Sequence, residues 1–586
     1  MKPLVWAFWA HEPPMFYRRR HSDLHSVLGY GEWVPAWYDR IHSEGAIAKI
    51  AAMGVNEIYT HFYKGFGLKM EHDDMMQTAE TVRIAHKYGV KVIGYCTIGT
   101  FYPETLEDEL PGVENCARID INGQAVHPTF EGGFFSRNYA CYNASLYYDE
   151  YYPKIIEFGL NTVKLDGFHF DNGSSGYCRC PKCVEAFRDY LRKNVPNPKE
   201  YALHSFDHVT IPGEASKNEP LRILYLKYRR ELCAWRHRKT FQLVKRIKPD
   251  AIVLYNCGIG QFPSLGHTGY DPALTPPEAD QVFIESNSFI RYQNDKLITA
   301  VLGYKLGRRF GMQVLNTSWL RNEHSVRIPE TEAEMTRIEA ESLIFGSDCG
   351  SNWLARPLKS GHGAMVFDTE PHHTLLSTIF HYYLEHPELY AESTPVSKVK
   401  LVYHPDSRLM DHEVLSASIN DACSTLLERH VPFSIALLDD DFLPDDTIVL
   451  PGAVMLSQKE IERIKALPCR VVFAGSPAGI YDEKGAERCT PSFPQGDLST
   501  VSSGFEVNHE GILLETALTP TGEKVVHLLN TKNENPVQSV SVKLPFTAKK
   551  VTVFSYESDV KACLTAANQV EIDSFRTLCT LKFQER

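Results

Sequence analysis

Eight short apolar runs punctuate the first 355 residues: Pro3–Ala10, Val55–Tyr63, Val90–Ile98, Thr162–Asp171, Ala251–Asn256, Gln281–Ser286, Gln313–Ser318 and Asp348–Trp353. Runs of this length, bounded by glycine, asparagine or proline, read as buried strands. Between them lie stretches with helical spacing, at Pro35–Met53, Asp73–Tyr88, Pro181–Lys193, Pro220–Ile247 and Glu330–Phe345. Strand and helix alternating eight times predicts an α/β chain built on a (β/α)8 TIM barrel, expected over 1–393. A doubly wound open sheet is the competing arrangement, but no G-x-G-x-x-G follows the first run.

The texture changes after the helical run Leu375–Glu385, where Pro387–Pro395 forms a proline-bearing linker. Strand-like VKLVYHPDSR, VPFSIALLD, DDTIVLPGA and CRVVFAGSPAG alternate with helical Val414–Arg429 and Lys459–Ala466, which predicts a small α/β domain over 394–490. The short alternating runs EKVVHLLN, VSVKL, KVTVFSY and LCTLKF predict an antiparallel β-domain of sandwich type over 500–586. Inside the barrel region, the third βα connection, Gly99 to about Tyr152, is long and carries the hairpin signal Asn122-Gly123. Connections of that length in barrels are usually lids.

Composition narrows the partners. A net charge of -12 with no basic stripe argues against nucleic acid. Met1–Ala10 is apolar but too short for a signal peptide or a membrane span. Fourteen cysteines without a secretion signal point to reduced thiols or metal ligands and to a cytoplasmic protein. No organic cofactor is expected.

The strand ends collect polar and aromatic residues where a barrel gathers its reactive groups. They are Trp9, His61, Lys64, Arg137, Asn138, His169, Asn172, Asn256, Trp319, Arg321 and Trp353, all candidates for substrate contact. Indoles beside carboxylates suit a sugar, whose apolar face stacks while its hydroxyls take polar partners. Two acids stand out, Asp171 ending the fourth run and Glu285 ending the sixth. Cleaving a glycosidic bond takes one carboxylate facing the anomeric carbon and a second acid at the leaving oxygen. Asp166, five residues below the tip, is expected to be a salt-bridged structural acid. Just past Asp171, Cys178, Cys180 and Cys183 have the C-x-C-x-x-C spacing that lets thiolates converge on one metal, the alternative being free reduced thiols.

Two resemblances follow. C-R-C-P-K-C after the fourth run, with SRNYACYN upstream, resembles the zinc knot of family 42 β-galactosidases. That match implies Cys141, Cys178, Cys180 and Cys183 as ligands of a structural zinc. The small α/β region resembles the glutamine-amidotransferase-like domain with which that family builds trimers, which implies a homo-oligomer, a trimer by analogy. No cysteine follows TIVLPGA, so an amidotransferase nucleophile is missing and assembly is the expected role. The departure is at the strand-four tip: the family carries Asn-Glu where this chain reads Asp171-Asn172-Gly173.

K-L-D-G-F-H-F-D-N is similar instead to the strand-four motif of retaining α-glycosidases of the α-galactosidase and α-fucosidase kinds. Carried over, it makes Asp171 the nucleophile and Glu285 the acid/base of a retaining exo-glycosidase acting on a carbohydrate. Asp171 as acid/base of a β-galactosidase-like enzyme, and a barrel that binds sugar without cleaving it, are the alternatives.

Overall fold

Each apolar run contains one barrel strand. They are Val5–Ala10 (β1), Glu57–Tyr63 (β2), Lys91–Thr97 (β3), Gly167–Asp171 (β4), Ile252–Asn256 (β5), Gln281–Ile284 (β6), Gln313–Asn316 (β7) and Cys349–Ser351 (β8). The computed structural model describes residues 2–10, 35–128, 136–213, 219–262, 265–274, 278–285, 289–318, 320–321, 326–346, 348–356 and 365–585. All neighbouring strands run parallel in the order β7-β6-β5-β4-β3-β2-β1-β8, a TIM barrel nearly closed on itself. Strand alternation divides the side chains. Trp6, Phe8, Tyr59, Ile93, Leu254, Phe283 and Leu315 fill the barrel, while Ile58, Val92, Phe168, Phe170, Val253 and Val314 face the helical shell.

That shell includes Glu44–Ala52 (α1), Leu68–Lys87 (α2), Pro181–Asn194 (α3), Pro220–Ile247 (α4), Val301–Arg309 (α5), Glu332–Glu341 (α6) and His372–Glu385 (α7). Local chemistry sets several starts. Ser43 accepts from the Ala46 amide ahead of α1, ending a separate short helix, Pro35–Ile41, so the run Pro35–Met53 is two helices. Thr331 and Glu334 form a capping box on α6.

The fourth run is shorter as a strand than its apolar length predicts. Gly159–Val163 is a π-helical turn, Lys164 reverses the chain with φ 66°, and β4 begins only at Gly167. Asp166 therefore precedes the strand, at the end of the barrel away from Asp171. It takes His86 Nε2 at 2.7 Å, the Val92 amide at 3.0 Å and Lys248 Nζ at 3.1 Å, a structural junction.

Beyond the barrel, Val399–Val402 (β9), Phe433–Ala436 (β10), Thr447–Pro451 (β11) and Arg470–Ala474 (β12) form a parallel sheet in the order β10-β9-β11-β12. It is accompanied by helices His412–Glu428 (α8) and Gln458–Ala466 (α9). The C-terminal strands are Ile512–Leu518 (β13), Lys524–Asn530 (β14), Val537–Lys543 (β15), Ala548–Phe554 (β16), Ala562–Ala566 (β17), Gln569–Phe575 (β18) and Leu578–Glu585 (β19). They make two antiparallel sheets. Leu514, Leu528 and Leu581 of one share a core with Val540, Val570 and Ile572 of the other.

The linker contributes to this sandwich, since Thr394–Pro395 pairs with β13 before the chain enters the parallel sheet. Lys305 of α5 joins all three regions, donating to the Phe433 carbonyl of β10 at 2.7 Å and to the Glu515 carboxylate of β13. Among the described residues no helix is long and apolar enough to cross a membrane.

Candidate active site

The C-terminal ends of β2 to β5 bring one carboxylate and its partners together. Register sets Tyr95 of β3 beside His169 of β4, and Thr97 beside Asp171. Asp171 Oδ2 accepts from the Tyr95 hydroxyl and from Asn172 Nδ2 at 2.8 Å; Oδ1 accepts from Asn256 Nδ2 at 2.8 Å. Asn172 reaches its neighbour because its backbone is left-handed, φ 56°, a region asparagine tolerates. Gly99 lets the β3 loop press onto that turn: a β-carbon there would fall 1.8 Å from the Asn172 carbonyl oxygen. Lys64, just past β2, lies with Nζ 3.3 Å from the Tyr95 hydroxyl and 4.6 Å above its ring.

These partners set the charge of Asp171. Burial pushes its carboxyl up, but the His169 ring, the Tyr95 hydroxyl, Lys64 and Asn172 outweigh that and hold it below the usual carboxylate range. Burial brings the His169 imidazole itself down to about 4, so it is neutral at neutral pH. Lys64 and the three hydrogen-bond donors then keep Asp171 ionised. His169 is gripped by aromatic edges, Phe8 at 5.4 Å, Tyr95 at 5.5 Å and Phe283 at 5.0 Å, and neither ring nitrogen has a partner among the described residues. Behind Lys64, Glu71 accepts from the amides of Lys64, Gly65 and Phe66 at 2.6, 3.0 and 2.8 Å, and burial pushes it up to about 8. His61 is buried 3.7 Å from the same carboxylate.

The remaining candidates are placed as follows. Glu285 stands one residue past β6, exposed, with its carbonyl accepting from Gln261 Nε2 at 2.6 Å. One strand, β5, separates β6 from β4. Trp9 does not join the Asp171 cluster. Alternation turns it into the shell, where its indole donates to the Ile41 carbonyl at 2.6 Å and packs on Phe367, while Phe8 takes the inward place. Arg137 is buried, donating twice to Thr100 Oγ1 at 3.0 and 2.7 Å, and Asn138 beside it pairs with Phe101. Trp353 is fully buried, its indole nitrogen without a partner among the described residues. Trp319 and the Arg321 side chain lie outside the described residues.

Three residues of this rim are not among the sequence candidates. Tyr95 lies inside its strand and is found only by register with His169. Asn316 ends β7 and Asn352 follows β8; both are buried with side-chain atoms lacking partners, and their strand-end positions, like that of Asn256, are the signal that would have found them.

The loop after Asp171 leads into the cysteines. Their four sulfurs, on Cys141, Cys178, Cys180 and Cys183, all lie within 4.8 Å of one another. Cys141 Sγ is 3.3 Å from Cys183 Sγ and 3.7 Å from Cys180 Sγ. A tetrahedron of thiolates around zinc has edges of about 3.8 Å, so the donor set fits a metal ion held by four sulfurs. Three of the four are buried and Cys180 is half-buried. N–H groups point at the sulfurs: Ile119 N at 3.5 Å from Cys178, Asn143 Nδ2 at 3.2 Å from Cys183, and Cys183 N at 3.4 Å from Cys180, which caps α3.

Solved structures with this architecture exist. A β-galactosidase from Bacillus circulans sp. alkalophilus superposes with TM-score 0.68 at 12% identity, covering 99% of each chain. Gan42B, a GH42 β-galactosidase from G. stearothermophilus, gives TM-score 0.68 at 12% identity over 95% of this chain and 98% of its own. An α-L-fucosidase, isoenzyme 2 from Paenibacillus thiaminolyticus, gives 0.63 at 12% identity over 100% of both. At these identities the likeness is one of fold. No family model matches the chain, and no curated protein matches it in sequence.

Proposed function

We infer that the protein is a retaining exo-glycosidase with Asp171 as nucleophile and Glu285 as acid/base. The observation that carries this reading is the Asp171 carboxylate, kept ionised at the barrel rim by Tyr95, Asn172, Asn256 and Lys64. A nucleophile must be charged when the sugar arrives, whereas a general acid must hold a proton. Asp171 would attack the anomeric carbon while Glu285 protonates the departing oxygen; Glu285 then takes a proton from water, which releases the sugar. The whole-chain likeness to β-galactosidases and an α-L-fucosidase supports a glycoside substrate.

That likeness also favours the second reading, Asp171 as acid/base in a β-galactosidase-like frame, and a depressed carboxyl argues against it. Asp171→Asn with added azide separates the two. A glycosyl azide of inverted configuration identifies Asp171 as the nucleophile, retained configuration identifies it as acid/base, and an unimpaired variant would end both. A panel of aryl glycosides of both anomers would name the sugar.

The four thiolates would hold zinc with no open position, a structural site beside the catalytic loop. The parallel sheet over 394–490 would serve assembly into a homo-oligomer. A reducing, cytoplasmic setting accords with fourteen cysteines that form no disulfide.

A further inference from the structure

Two arginines are buried against Gly176, two residues before Cys178: Arg118 at 8% exposure and Arg229 at 2%. Arg229 donates to the Gly176 carbonyl and, at 2.9 Å, to Ser175 Oγ. Arg118 stacks 4.2 Å from the Tyr139 ring and packs against the same Gly176, where a β-carbon would fall 1.9 Å from Nη1. Arg118 Nε and Nη1 and Arg229 Nε meet no acceptor among the described residues. Neither arginine has a carboxylate partner there, whereas the nearby Arg230 and Arg236 pair with Asp406 and Asp149. The amide of Ile119, next to Arg118, points at Cys178.

A buried guanidinium needs a compensating anion. Without a metal, no carboxylate among the described residues offsets the two guanidiniums. Four thiolates around a divalent cation carry a net charge of minus two, which cancels the two arginines. Binding then reads as four thiols and one M²⁺ giving a tetrathiolate dianion and four released protons.

We propose that Arg118 and Arg229 are the counter-charges of the cysteine site. The proposal rests on the metal reading given above. Its consequence is a change of sign: the Arg118 charge stabilises the metal-loaded chain and burdens the metal-free one.

The test uses the full chain under reductant, with zinc as the probe. Zinc affinity is measured by chelator competition, and Tm is read for zinc-loaded and stripped protein. Wild type should hold one zinc per chain. Arg118→Met should bind zinc about 10–100-fold more weakly and melt lower than wild type when loaded, yet match or exceed wild type when stripped. Zinc affinity of Arg118→Met within threefold of wild type, or an equal loss of Tm in both forms, would overturn the proposal. If Arg118→Met does not fold, Arg118→Lys decides: near-native zinc affinity supports the charge role, and affinity at least 10-fold weaker refutes it. A wild-type chain that takes up no zinc would remove the metal reading itself, and this proposal with it.

Discussion

Asp171 and Asp348 belong to the same barrel, and their carboxyls behave oppositely. Asp171 is met by a hydroxyl and two amides, with an ammonium group close by, and stays ionised. Asp348, just ahead of β8, has one donor, the Trp6 indole at 2.7 Å, and its Oδ1 has no partner among the described residues. Burial pushes Asp348 up to about 8, with the Trp6 bond and Arg308 pulling only partly back. Its neighbour Glu339, with the Gly350 amide at 2.8 Å on one oxygen and no partner for the other among the described residues, also rises to about 8. Depth inside a barrel therefore does not decide whether an acid is charged. Donors alone do not decide it either, since Glu71 has three amides and still rises to about 8; Asp171 combines its donors with the Lys64 charge at the rim of β2 to β5.

The largest test of that contrast is Asp171→Asn, which should lower kcat on a cleaved aryl glycoside by on the order of 10⁴-fold or more while leaving Tm nearly unchanged. Tyr95→Phe should come next. Losing one hydrogen bond to a charged group is worth about 1.5–3 kcal/mol, or about 10–100-fold in kcat/KM. The acid limb of its pH profile should also move to higher pH, because Asp171 loses a donor that favours its charged form. An unmoved limb would mean that Lys64 and the amides suffice.

Stability should follow the opposite sign at the other acids. A carboxyl whose folded value is raised contributes stability that is complete below its unfolded value and is lost as pH climbs toward the folded one. With Glu71, Glu339 and Asp348 at about 8, the wild-type Tm should fall between about pH 4 and pH 8. Asp348→Asn should flatten that fall, recovering about 1 °C in Tm per kcal/mol relieved near pH 8. A steeper fall would show that Asp348 is ionised and paired. The smallest effect belongs to His169→Phe, which keeps the aromatic packing and removes two nitrogens that have no partner among the described residues. Its stability should change by less than about 1 kcal/mol, and a drop in kcat/KM without one in Tm would mark His169 as touching the substrate.

The barrel was legible because each strand is a short apolar run whose two faces are both covered. Every run holds a strand, and the errors lie at their edges. Thr162 and Val163 look like strand because both are β-branched, but they close a helical turn, in which Val163 is buried and Thr162 is exposed. Helix α5 escaped the pattern because Gly303 and Gly307 weaken its helical signal. The packing explains Gly307, whose β-carbon would fall 2.1 Å from Val314 Cγ2 on β7, so the helix lies flush against the sheet.

At the site, Asp171 and its amide neighbours could be picked out from strand ends, whereas Tyr95 needs the register between β3 and β4. Trp9 misled because a tryptophan at a strand tip faces inward or outward by one step of alternation, and here the inward step fell on Phe8. Arg118 is invisible to any pattern that assigns charges to the surface.

The two-residue strand at Thr394–Pro395 has a topological consequence. The chain touches one sheet of the sandwich there, departs to build β9 to β12, and comes back at Glu506–Val507 onto the other sheet. The parallel-sheet region is thus a detour spliced into the sandwich and not a bead on a string. Excising the detour would take the Phe433 carbonyl from Lys305 and Asp406 from Arg230, while trimming the C-terminus would strand Lys305 without its anion.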